Sequence, residues 1–204
     1  MLKFSKIKLS HLSDPKMNDW FRRSIRGGVA FIGKRYESGA PKFNGKGYEK
    51  FIKYLDATNL YGSMMLSKLP YKNFKFLTES ELKILENKLF RKDLIDVDGD
   101  TSYFVEVDLY YPSKLHKSHC QWPLAPDKFQ VGFDDLGPFS RMQLSYCDPI
   151  KFRNKKFSET KLVPHFCPSK IYICPIKNLI YYLDKGLIFN KNLILLHLLP
   201  KKLG

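Results

Sequence analysis

Alternation of apolar and polar positions is clearest in residues 103–111, Tyr-Phe-Val-Glu-Val-Asp-Leu-Tyr-Tyr. Tyr103, Val105, Val107, Leu109 and Tyr111 fall on one face at period two, with Glu106 and Asp108 on the other. That pattern predicts a half-buried strand. Helical spacing takes over elsewhere. Met17, Trp20 and Phe21 lie on one side of residues 9–24, where Ser13 or Asp14 can cap and Pro15 fits the first helical position. Thr78-Glu-Ser-Glu81 is a capping-box signature, and Leu82, Leu85 and Leu89 follow it as an apolar stripe, predicting a helix over 78–90. Lys170-Ile-Tyr-Ile-Cys174 predicts a short strand. Pro175 then opens a helix bearing Ile176, Leu179, Ile180 and Leu183, which Gly186 closes, and Leu187-Ile-Phe189 starts a further strand. This tail is βαβ-like. Residues 37–49 read as a Gly-rich connector, and 127–160 as loop-rich.

Residues 50–65, Lys-Phe-Ile-Lys-Tyr-Leu-Asp-Ala-Thr-Asn-Leu-Tyr-Gly-Ser-Met-Met, change period part-way. Phe51, Ile52, Tyr54 and Leu55 predict a strand. Leu60, Tyr61, Met64 and Met65 predict a helix for which Thr58 or Asn59 is the available N-cap, ended by Leu69-Pro70-Tyr71. Asp56 therefore stands between a strand end and a helix N-terminus, where backbone amides and the helix dipole favour anions and a carboxylate can hold Mg²⁺. Taken alone, such an aspartate is more often a helix cap.

With 204 residues, 44% hydrophobic and 15% aromatic, the chain has the material for a folded domain with a real core. Its net charge of +15 favours a polyanionic partner. The distribution is uneven. Residues 1–55 carry 13 Lys+Arg against 4 Asp+Glu, residues 56–150 carry 11 against 14, and residues 151–204 carry 11 against 2. Two basic flanks thus surround an acidic middle that begins at Asp56, which suits a surface gripping a nucleic-acid backbone and equally suits a merely basic soluble protein. Cys120, Cys147, Cys167 and Cys174 are widely spaced, and the N-terminus lacks an apolar signal region, so reduced intracellular thiols are expected. The apolar run 193–199 is interrupted by His197 and too short to span a bilayer; a soluble intracellular protein without membrane partners is the expectation.

Several other patterns are weaker signals. Gly45-Lys-Gly47 lacks the surroundings of a phosphate-binding loop. Asp96, Asp98 and Asp100 start like a calcium loop, but Thr101 and Val107 occupy the positions that need Gly and Glu, so a solvated turn is expected. His116, His119 and Cys120 have no second ligand pair at zinc-finger spacing, although Cys147, His165 or Cys167 are available. Lys151-Phe-Arg-Asn-Lys-Lys156 interleaves cations with Phe152 and Phe157; it reads as a phosphate-gripping, base-stacking segment or, on equal terms, as a solvated loop.

The string Asp56-Ala-Thr-Asn-Leu-Tyr-Gly62 resembles the first palm motif of family B DNA polymerases, Asp-x-x-Ser-Leu-Tyr-Pro. It is closer to the version in protein-primed polymerases of Maverick/Polinton-type transposons, with Asn59 for the Ser and Gly62 for the Pro. Arg26-Gly27-Gly28 is similar in content and distance to that family's Tyr-x-Gly-Gly element, with Ile25 in place of the Tyr. Glu106-Val-Asp-Leu109, Tyr111-Pro112 and Pro123-Leu-Ala-Pro126 follow in the family's order, and the resemblance runs from about Arg26 to Lys191. It implies that Asp56 is a catalytic carboxylate contacting two Mg²⁺ ions. It implies further that backbone amides at Thr58, Asn59 and Leu60 hold a deoxynucleoside triphosphate, and that Tyr61 closes the sugar pocket. DNA template and primer would meet Arg26, Gly27, Gly28, Lys34 and Arg35, and a terminal priming protein is a further implied partner.

The family's Lys-x-x-x-Asn-Ser-x-Tyr-Gly, Tyr-x-Asp-Thr-Asp and Lys-x-Tyr motifs do not occur here. One carboxylate cannot place two divalent cations, so the expectation is a polymerase fragment inactive alone, or alternatively a non-catalytic DNA-binding remnant. The expected fold is α+β. A mostly antiparallel palm-type sheet would be built around the Asp56 and Tyr103–Tyr111 strands, with helices on one face. The expected divisions are a template-binding region and connector (1–49), a partial palm (50–160) and a βαβ-like insertion (161–204).

Overall fold

The computed structural model describes residues 8, 10–34, 36–39, 50–90 and 101–202, with side chains at 86, 88–90 and 190–202 outside the description. Arg35, most of the expected 37–49 connector with its Gly45-Lys-Gly47 string, the Asp96–Asp100 segment and the side chain of Leu89 therefore lie outside the described residues.

The alternating segment forms β2 (Ser102–Tyr110), and its apolar face is the centre of the core. Val105, Val107, Leu109 and Tyr111 are all buried, Val105 completely. Beside it run β5 (Ser169–Pro175) and β6 (Ile188–Lys202), both antiparallel to β2, and β1 (Lys68–Phe76) pairs antiparallel with β6. The order β1-β6-β2-β5 makes β5 and β6 parallel to each other with β2 between them. Helix α7 (Ile176–Asp184) joins that parallel pair, so the tail is a βαβ unit split by β2. The fold is α+β.

Each face of the sheet needs a cover, and each has one. Ile176, Leu179 and Tyr182 of α7, with Leu85 of α3 (Glu79–Phe90), pack on Val105, Val107 and Tyr172. Burying side chains such as Leu179 and Ile176 contributes about 1.5–3 kcal/mol each. On the opposite face Met17 and Trp20 of α1 (Pro15–Ser24) pack on Ile173, with Phe74 and Phe104 alongside. The expected single helical face is therefore corrected: the sheet is covered on both sides.

Local chemistry sets the helix ends as the sequence predicts. Asp14 caps α1 by accepting from the amides of Lys16 (2.8 Å) and Met17 (3.4 Å), with Pro15 at the first position. Glu81 reaches back to the Thr78 amide at 2.9 Å, completing half of the capping box of α3. Gly186, at φ +94, closes α7; a Cβ there would lie 3.2 Å from Leu115.

Two segments depart from expectation. Residues 127–163 are not loop-rich. They form an antiparallel ribbon of β3 (Asp127–Gly132) and β4 (Ser158–Val163), connected by α5 (Pro138–Cys147) and α6 (Pro149–Arg153). The boundary expected after residue 160 falls inside β4. Strand β1 is unforeseen as well. Its Pro70 and interleaved lysines suit only an edge, and it bulges at Asn73, which takes φ +59. Among the other short elements is α4 (Ser113–His119).

Candidate nucleotide and nucleic-acid site

Residues 51–57 form no strand, which corrects the expectation of a sheet built around Asp56. Phe51, Ile52, Tyr54 and Leu55 are apolar on both sides of an extended chain. Such a strand needs covering on both faces, and here Tyr54 is 94% and Leu55 85% exposed. Asp56 is exposed too, and precedes a turn rather than ending a ladder.

The helix that follows is present as α2 (Leu60–Met65). Asn59 is its N-cap, in the left-handed region at φ 51, with its side-chain oxygen accepting from the Gly62 amide at 3.2 Å. Asparagine tolerates that conformation better than most residues. Gly62 leaves room for the same contact: a Cβ there would sit 2.3 Å from the Asn59 side chain and push it off the cap. Thr58 lies in the preceding turn and Leu60 opens the helix; Tyr61 points away from the core, 83% exposed. Asp56, Thr58, Asn59, Leu60 and Tyr61 therefore form one contiguous exposed stretch.

Arg26 is placed differently from a phosphate-gripping side chain. Its guanidinium lies 3.8 Å over the Tyr172 ring, donates to the Ile173 carbonyl at 2.5 Å and pairs with Asp127 at 3.2 Å. It ties the strand edge at β5 to the start of β3. Gly27 and Gly28 next to it are exposed, and a Cβ on either would meet nothing within 4 Å. The folded chain itself does not demand glycine at these two positions. Gly33 is the one in close contact, with the Gln121 carbonyl 2.5 Å from where its Cβ would be, and Phe31 meets Trp122 edge-on nearby. Lys34 is exposed and paired with Glu37, which also meets Lys50.

Glu106 and Asp108, the carboxylates of β2, have structural partners. Glu106 accepts from Trp20 Nε1 at 2.6 Å and lies 3.7 Å from Arg23. Asp108 accepts from the Ile171 amide at 2.9 Å and so holds a bulge in which Ile171 takes φ 56. Neither pairing was legible in the sequence. Trp20 and Glu106 are 86 residues apart, and Arg26 and Asp127 are 101 apart, with no local pattern to join them.

Burial pushes the Cys174 thiol up to about 12, although the nearby Arg26 charge opposes the shift. Tyr172 and Tyr182 are raised as well, chiefly by burial. The Tyr111 hydroxyl lies 2.6 Å from His119 Nδ1 in a hydrogen bond and accepts from the Leu124 amide at 3.3 Å, and His116 stacks on Phe166 at 4.4 Å. Among the described residues no three His, Cys, Asp or Glu side chains gather where they would hold a metal ion. Asp56 therefore does not by itself fit a two-metal site. A cleft of about 360 Å³ opens between residues 10–17 and β1 at Asn73–Phe74, and no residue of the expected site lines it. No described helix is long and apolar enough to cross a membrane. No family model, curated protein or solved structure matches the chain.

Proposed function

We propose that the chain is part of a protein-primed, family B type DNA polymerase, with Asp56 as one metal-binding carboxylate of a site that other segments complete. The observation that supports this reading is the condition of residues 51–66. They carry the polymerase-like string, their apolar side chains are exposed, and none of them belongs to the core cluster or to the partly buried side chains packed on it. A palm motif separated from the rest of its palm would look like this: cap formed, helix started, apolar side chains uncovered.

In this reading Tyr61 and the amides around Thr58, Asn59 and Leu60 meet a deoxynucleoside triphosphate. Exposed Gly27 and Gly28 let template DNA approach the backbone. Arg26 acts by fixing the start of that segment rather than by touching phosphate. Mg²⁺ would supply charge neutralisation at the triphosphate when bound, but Asp56 alone does not place two ions. The chain by itself should not extend a primer.

The test is reconstitution. A second polypeptide carrying the Lys-x-x-x-Asn-Ser-x-Tyr-Gly and Tyr-x-Asp-Thr-Asp motifs of a Polinton-type polymerase is added in trans, and nucleotide incorporation is followed. Incorporation that needs both chains and disappears with Asp56→Ala supports the reading. Incorporation unaffected by Asp56→Ala, or none with any such partner while the chain still binds DNA, favours a DNA-binding remnant without catalysis.

A further inference from the structure

The unit formed by residues 127–163 presents a surface that its own fold leaves uncovered. Along α5, Phe139, Met142 and Tyr146 recur at three- and four-residue spacing and so share one helix face; Ile150, beyond the non-helical Asp148, is an exposed apolar side chain of α6. They are 62%, 48%, 79% and 73% exposed. The other side of the unit is occupied internally: Phe133 packs on Phe152 at 5.9 Å, and Arg141 lies over Phe133 while donating to the Asp134 carbonyl.

Cations follow directly. Residues 149–157 hold Lys151, Arg153, Lys155 and Lys156 and no acid. Lys151 meets Asp148 at 3.2 Å, whereas Arg153, Lys155 and Lys156 make no ion pair among the described residues. The turn that ends α6 has both bonds of a Schellman motif, from the Lys156 amide to the Lys151 carbonyl at 3.0 Å and from the Lys155 amide to the Phe152 carbonyl at 3.2 Å. Lys155 occupies its left-handed position at φ 50, where glycine is the unstrained choice. A charged side chain is thus held at the helix end against a backbone preference.

Flat, exposed rings followed along the chain by exposed cations that make no ion pair among the described residues match one polyanion best. Single strands offer bases whose faces are free to stack and phosphates at regular intervals, whereas duplex bases are already stacked. Seven residues apart on a helix, roughly 10 Å, Phe139 and Tyr146 can each take a base of the same strand. We propose that the α5–α6 face binds single-stranded nucleic acid, with Phe139 and Tyr146 stacking on bases and Arg153, Lys155 and Lys156 meeting phosphates. This does not rest on the polymerase reading, whose DNA contacts lie around Gly27 and Gly28.

The experiment is fluorescence anisotropy of labelled oligo(dT), about 16 nucleotides long, titrated with the full chain over a range of salt. Tyr146→Ala should weaken binding about tenfold, and Tyr146→Phe should restore it, because stacking needs the ring and not the hydroxyl. Lys155→Ala with Lys156→Ala should reduce the log–log salt slope by about 0.7 for each cation removed. Both positions are exposed, and unchanged thermal melts establish that the variants fold. Unaltered affinity and slope in these variants overturn the proposal, even if substitutions near Gly27 and Gly28 abolish binding and so leave the polymerase reading intact. No binding of oligo(dT) by the wild-type chain also overturns it, as does equal binding of anionic phosphatidylserine vesicles that oligo(dT) fails to displace.

Discussion

Residues 102–111 and 50–66 are both rich in apolar side chains, yet the first contributes Val105, Val107, Leu109 and Tyr111 to the core and the second leaves Phe51, Ile52, Tyr54 and Leu55 exposed. The difference is the arrangement of apolar positions and what they can meet. In β2 every second side chain is apolar, so one helix layer buries that face, while Glu106 and Asp108 on the other find Trp20 and the Ile171 amide. In residues 51–55 the apolar side chains come as adjacent pairs on either side of Lys53, so both sides of the chain need cover. The four-stranded sheet is β1-β6-β2-β5 and does not take them in. Apolar content, then, decides less than period and partner.

The comparison breaks most easily with a charge. Val107→Asp puts an unpaired carboxylate at a position 1% exposed and should cost more than about 4 kcal/mol, enough to unfold the chain. Leu55→Asp, in an apolar segment packed on nothing described, should change stability by less than about 0.5 kcal/mol. Urea unfolding of the two variants decides it; a large loss for Leu55→Asp would mean that residues 51–66 are covered in solution.

Trp20→Phe sharpens the same contrast from the other face of β2. The ring still packs on Ile173, but Glu106 loses a donor at 2.6 Å, and loss of a hydrogen bond to a charged acceptor should cost about 1.5–3 kcal/mol. Double-mutant analysis with Glu106→Gln should show the two effects to be coupled rather than additive. A smaller effect of opposite sign is expected at Ile171. A β-branched residue at φ 56 is strained, so Ile171→Gly should raise stability by up to about 1 kcal/mol in thermal unfolding.

What was legible in the sequence follows the same division. Caps and periods were: Asp14, Glu81, Gly186 and the faces of β2 all fall where local chemistry puts them, while Pro175 is the N-cap of α7 rather than its expected first residue. Asn59 was foreseen as a cap, but Gly62 was explained only by the cap it must not obstruct. The β3-α5-α6-β4 unit was missed because the helical spacing of Phe139, Met142 and Tyr146 is short, flanked by turn residues, and serves an exposed face rather than a core, none of the unit's residues being buried. Arg26 reads in the sequence as a free cation beside two glycines. Its partners, Asp127 and Tyr172, come from strands whose approach only the tertiary fold supplies.

The smallest expected effect separates the two regions by pH. Glu81 caps the helix that covers β2, and the hydrogen bond from Lys75, reinforced by the Thr78 amide, holds its carboxyl down at about 2 from an ordinary 4.5. A carboxyl depressed by folding stabilises above its unfolded value, and that contribution fades as pH falls from about 4.5 toward about 2. The stability difference between the wild-type chain and Glu81→Gln should therefore be constant at neutral pH and shrink across this window. Asn59, which caps the uncovered helix α2 with a neutral amide, has nothing to titrate. The protection of amides 60–66 lost in Asn59→Ala, read by hydrogen exchange, should be the same at pH 4.5 and at pH 7 once intrinsic exchange is corrected. A Glu81→Gln difference that persists unchanged to the acid end would show that the cap is not carried by charge, and the covered helix would then be no more acid-sensitive than the exposed one.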